Sequence, residues 1–131
     1  QIQRVLWEKY LFITVLGGMT ALTRCPIGPI RSTPETRQML KRLFEEIAAL
    51  ASASGAPLAP DAWERALSMA DRLPPTAYSS LHHDLIHGRR LEIEALQGYA
   101  VRLGERFGIP TPMLFAVYAA LKPSEHGAPS P

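Results

Sequence analysis

The chain has 131 residues, enough for one domain built around one core. Apolar residues make up 47% and charged residues 20%, ordinary globular usage that excludes a disordered chain. The net charge of +2 comes from scattered basic residues and excludes the clustered positive surface that nucleic-acid binding requires.

The first predicted element is a helix over 3–23, with Val5, Leu6, Lys9, Phe12, Ile13, Leu16 and Thr20 on one side. Its longest apolar stretch, Leu11 to Leu22, is well short of the ~20 residues that span a bilayer and contains Gly17 and Gly18, so it reads as a buried helix and no membrane partner is expected. The opening at Gln1, without a basic leader or an initiator Met, reads as a cut inside a longer protein. Cys25-Pro-Ile-Gly-Pro then breaks the helix, because proline lacks the amide donor and glycine tolerates turns.

Thr33 and Pro34 open the next helix, with Met39, Leu40, Leu43, Phe44, Ile47 and Leu50 on its buried face and Gly55 at its end. A third runs from Asp61 to Leu73, where Pro74-Pro75 stop it. A short helix follows from about Ser79 to Gly88, a fifth runs from Leu91 to Phe107, and a last one from Met113 to Leu121. The pattern defines an all-α class, a compact multi-helix bundle over residues 1–122. Residues 123–131 have almost nothing apolar to bury and read as a disordered tail.

Two places offer chemistry. Lys9 stands beside the apolar part of the first helix, where partial desolvation makes an ammonium a readier proton donor; pairing with Glu8 is the plain alternative. The polar stretch from Tyr78 to Glu94 opens with Ser79 and Ser80 at a helix start, where a carboxylate is accommodated, and contains Glu92; helix caps and a first-turn acid are the plain alternatives. His83 and His87 have the spacing of some zinc pairs, but neither they nor His82 are accompanied by further ligands in a recognisable order, so no metal is assigned. The lone Cys25 has no sequence-marked base and no disulfide partner, and its compartment reads as cytoplasmic.

Several of these pieces occur in one order: Trp7-Glu-Lys9, Thr20-Ala-Leu-Thr before a Pro/Gly turn, Glu45-Glu46, Ser79-Ser80-Leu-His-His-Asp84, Gly88-Arg-Arg-Leu-Glu92-Ile-Glu94 and Gly108-Ile-Pro-Thr-Pro112. The set resembles the C-terminal domain of 2-dehydropantoate 2-reductase, the ketopantoate reductase family. The resemblance implies a helical bundle of the 6-phosphogluconate dehydrogenase C-terminal-domain-like type, joined to an N-terminal Rossmann domain that binds NADPH. It implies reduction of ketopantoate to pantoate, in pantothenate biosynthesis, within the interdomain cleft. Lys9 takes the place of the general acid, Glu92 that of the carboxylate holding the site, and Ser80, with Ser79 beside it, that of the substrate-carboxylate contact.

The family's substrate-binding asparagines, one and two turns beyond the lysine, are Ile13 and Gly17 in this chain. A related enzyme acting on a different 2-oxo acid or ketone is therefore the first alternative. A non-catalytic helical dimerisation module is the second, and a homodimer is compatible with either. The chain alone, without a glycine-rich phosphate loop after a strand, is expected to be inactive.

Overall fold

The structure, a computed structural model, describes residues 2–128. Seven α-helices follow in order: α1 (Ile2–Thr23), α2 (Ile27–Ser32), α3 (Pro34–Ala53), α4 (Ala62–Arg72), α5 (Ser80–Ile86), α6 (Gln97–Phe107) and α7 (Pro112–Leu121). Among the described residues there is no strand, so the fold is all-α.

The long helix α1 is the centre of the bundle. Leu11, Val15 and Met19 are buried against Leu43, Phe44 and Ile47 of α3 and Leu114 and Val117 of α7, forming one continuous core. By length and composition α1 is apolar enough to cross a membrane, yet α3, α5 and α7 pack on it and identify it as a core helix. Residues 2–6 at its start are exposed. Gly18 allows close packing, because a Cβ there would lie 2.8 Å from Val117 Cγ1 and 3.0 Å from Gln97 Nε2.

The segment after Cys25 corrects the sequence reading. It forms α2 rather than a simple break, because Pro29 lies in the first turn, where a missing N–H costs nothing. Ile27 and Ile30, three residues apart, are both buried, and the free amides of Ile27 and Gly28 donate to the carbonyls of Ala77 and Pro75 at 2.8 and 2.9 Å. Gly28 is required by this contact, since a Cβ would lie 2.8 Å from the Pro75 oxygen. α2 thereby holds the loop that leads into Ser79.

Other helix ends are closed by distant side chains. Arg31 donates to the carbonyls of Ala70 and Leu73 at the end of α4, and the Glu46 carboxylate accepts from the amides of Met113 and Leu114 at the start of α7. Thr33, the predicted cap of α3, and Asp61, the predicted start of α4, stand at the N-cap positions, although neither side chain makes a capping bond.

Two further corrections bear on the site. The predicted helix from Leu91 begins only at Gln97; Leu91 and Ile93 are fully buried with exposed Glu92 between them, an alternation that turns both apolar side chains inward before α6 starts. The tail from Lys122 is ordered through the last described residue. Lys122–Ser124 form a 3-10 turn, Glu125 is buried, and its carbonyl accepts from the Leu91 amide at 2.8 Å. Main-chain bonding and ion pairs hold 123–128 where apolar burial does not; residues 129–131 lie outside the described residues.

Candidate functional site

Lys9 is exposed, on the same side of α1 as Ile13, Leu16 and Thr20. Pairing with Glu8 does not occur: that carboxylate accepts from Arg65 at 2.8 Å. At 1.5 Å per residue, Thr20 lies about 16 Å along the axis from Lys9, with Ile13 and Leu16 between them.

At the far end of this line α5 joins α1. Thr20 is fully buried, and its hydroxyl donates to the Leu16 carbonyl at 2.8 Å. With its only hydrogen thus used, it accepts from the Ser79 hydroxyl at 2.6 Å. The Ser79 oxygen in turn accepts from the His82 amide at 3.0 Å as the N-cap of α5. Ser79, predicted to contact substrate, therefore has its donor and its capping acceptor committed to the fold. Ser80, the first residue of α5, is exposed. Leu81 turns inward and covers Gly17, where a Cβ would meet the leucine side chain at 3.6 Å.

Glu92 is exposed and pairs with Arg90 at 3.3 Å. Its segment is tied to the helix that carries Lys9: the Tyr10 hydroxyl donates to the Leu96 carbonyl at 2.5 Å, and Gln97 Nε2 donates to the Thr14 carbonyl at 2.8 Å. Burial holds the Tyr10 phenol well above its usual range, so it remains a donor. Glu94 anchors the other side, accepting from Arg102, Tyr118 and Lys122 at 2.6, 2.6 and 2.5 Å. Lys122 first, then Tyr118 and Arg102, hold its carboxyl down at about 2.

Lys9, Ser80 and Glu92 are exposed, and none of them lines the clefts between Leu6 and Tyr99, between α1 and α4, beside Gly55 or along Gly108–Pro112. Thr20, Tyr10 and Gln97 are the residues that the sequence reading did not assign. Their signal was polarity inside apolar segments, without a marked partner.

His82 is buried and stacks on Tyr78, and burial disfavours its charged form. The His83 and His87 rings lie 4.2 Å apart, and no group of three or more metal-ligating side chains occurs among the described residues.

A helical domain of this fold is found in solved reductases. A dimeric ketopantoate reductase from Staphylococcus aureus superimposes with a TM-score of 0.89 at 26% identity, over 95% of this chain and 44% of that one. The 2-dehydropantoate 2-reductase of Vibrio cholerae is 30% identical over 95% of this chain and 42% of its own length. An uncharacterized oxidoreductase of Bacillus subtilis, YkpB, is 31% identical over 92% of this chain and 40% of its own. Residues 1–125 match the family described as "Ketopantoate reductase PanE/ApbA C terminal", and the chain belongs to that family. It spans about two-fifths of the length of these curated relatives.

Proposed function

We propose that this chain is the substrate-side domain of a cytoplasmic reductase that converts a 2-oxo acid to the 2-hydroxy acid. Ketopantoate, reduced to pantoate on the way to pantothenate, is the substrate that the family name suggests. The chain spans about two-fifths of the length of its reductase relatives, and the nucleotide is assigned to a Rossmann domain in the remainder. NADPH bound there supplies the hydride.

The observation that carries this reading is the surface around Lys9. Ile2, Val5, Leu6 and Ile13 follow the same three-to-four spacing as Lys9 and are 81%, 61%, 60% and 44% exposed. A lone ammonium within an uncovered apolar stripe suits a surface that a second body closes. Closure excludes water and leaves Lys9 facing the substrate, where its charge stabilises the developing alkoxide before it passes on its proton, an effect worth several kcal/mol in a dry cleft. Solvent then restores the proton to Lys9. Ser80 supplies a hydroxyl to the substrate carboxylate, and Glu92, exposed between buried Leu91 and Ile93, is assigned to hold the site.

Steady-state consumption of NADPH by the intact protein with a panel of 2-oxo acids tests the proposal. Turnover with at least one of them is expected, and absence of turnover with all of them would refute it. The same uncovered stripe also favours a second reading, a dimerisation module without catalysis. A stable dimer in sedimentation, combined with no oxo-acid reduction, is the outcome that selects this reading.

A further inference from the structure

Resting on the reductase reading above, in which Glu92 holds the site, we infer that Lys122 is a positioning residue: it straps the segment from Gly88 to Glu94 to the residues after α7 and so fixes where Glu92 stands. Glu92 has no helix beneath it. Residues 89–92 form neither helix nor turn, and α6 begins only at Gln97. The exposed Glu92 carboxylate pairs with Arg90 at 3.3 Å, a partner in the same segment that moves with it. Its place is therefore set by the main chain on either side. Buried Leu91 and Ile93 turn Glu92 outward, but apolar contact is non-directional and does not fix how far the segment slides along the core. Directional bonds supply that restraint.

Those bonds come from the residues that follow α7. The Leu91 amide donates to the Glu125 carbonyl at 2.8 Å. Gly127 lies against Gly88, close enough that a Cβ on Gly127 would stand 3.1 Å from the Gly88 oxygen. At the other end of the segment the Lys122 ammonium donates to the Glu94 carboxylate at 2.5 Å, and it also donates to the Glu125 carboxylate at 2.6 Å. One ammonium thus joins the residue two places after Glu92 to the residue whose carbonyl holds Leu91, just before Glu92. Without Lys122, Glu94 keeps Arg102 and Tyr118, whereas the Glu125 side chain, only 9% exposed, loses its ammonium partner. The strap then loosens at the end that carries the Leu91 bond.

In this role Lys122 acts through Glu92. A displacement of about 1 Å in a group that orients substrate can cost on the order of 100-fold in rate, so loss of the strap should lower kcat/KM by about 10- to 100-fold. A residue that works only through Glu92 should add nothing once Glu92 is disabled.

The test is a double-mutant cycle in the intact protein, with NADPH and ketopantoate, or whichever 2-oxo acid of the panel is used faster. Wild type, Lys122→Met, Glu92→Gln and the double variant are compared, with Lys122→Arg as the rescue and hydrogen exchange at the Leu91 amide as a readout independent of activity. Lys122→Met is expected to lower kcat/KM by the stated factor at unchanged NADPH affinity and to speed Leu91 exchange while the core amides of α1 and α3 keep their protection. In the Glu92→Gln background it should cause no further loss, and Lys122→Arg, which keeps the charge, should restore most of the rate. If Lys122→Met does not fold by circular dichroism, Glu125→Gln, which removes the charge from one end of the strap, is tested by the same criteria. A rate within twofold of wild type, unaltered Leu91 exchange, or the same fractional loss with and without the Glu92 carboxylate would each overturn the inference and leave the reductase reading standing. Full activity of Glu92→Gln would remove Glu92 from that reading and the inference with it, and failure of the wild-type protein to reduce any 2-oxo acid would overturn the reading itself.

Discussion

Replacing Thr20 with valine keeps the shape of the side chain and its β-branching while deleting the hydroxyl that joins α1 to α5. In the native fold that oxygen gives its hydrogen to Leu16 and receives the hydrogen of Ser79. The variant leaves the Ser79 donor half-buried and without its acceptor, at a cost of about 1–3 kcal/mol. For a domain of this size the loss lowers the midpoint of thermal unfolding by roughly 3–10 °C. Ser79→Ala loses the same bond together with the cap on the His82 amide, so the two changes share one interaction. Urea denaturation of wild type, both single variants and the double variant should give a coupling of about 1 kcal/mol, with the double variant losing less than the sum. Thr20→Ser should recover most of the stability. Strict additivity of Thr20→Val and Ser79→Ala would refute the assignment of Ser79 to the fold, and with it the choice of Ser80 as the serine left for substrate.

Glu94 makes acid stability a test of how the Glu92 segment is anchored. Its carboxyl lies at about 2, against an ordinary 4.5, so its contribution is fully present above the ordinary value and is lost as pH falls toward the depressed one. Denaturation midpoints measured across that interval should fall more steeply for wild type than for Glu94→Gln, and parallel curves would contradict the network. Gly104→Ala tests the α6–α7 turn: a Cβ would lie 2.7 Å from the Ile109 carbonyl and 2.8 Å from Thr111 Cγ2. Overpacking against backbone should cost about 1–3 kcal/mol and outweigh the helix-propensity gain of alanine, and an unchanged thermal midpoint by circular dichroism would argue against the contact.

The all-α class and the extents of α3, α4 and α7 were legible because periodic apolar faces and Thr33-Pro34 and Thr111-Pro112 act within a few residues. α2 was not, since its stability comes from distant partners: its amides bond to Pro75 and Ala77, and Ile27 and Ile30 bury against other helices. The same reason explains the late start of α6, where Leu91 and Ile93 alternate into the core, and the ordered turn after Lys122, held by Glu94 and Glu125. At the candidate site the places of Lys9 on α1 and Ser80 at the start of α5 could be read, whereas Glu92, expected at the start of a helix, lies in the segment before α6, and the division of labour between Ser79 and Ser80 could not be read. That division depends on which way one buried threonine hydroxyl points, and an apolar helix segment carries no local mark of it.

Single-turnover reduction by the intact protein, with wild type compared to Lys9→Met, addresses the central claim most directly. Lys9 is exposed in this domain, so the substitution should leave folding stability within about 0.5 kcal/mol. Loss of a positioned general acid should slow the chemical step by about 100- to 10,000-fold while cofactor affinity stays the same. A rate within twofold of wild type, with saturating substrate and intact cofactor binding, would contradict the assignment of this lysine to the reacting carbonyl.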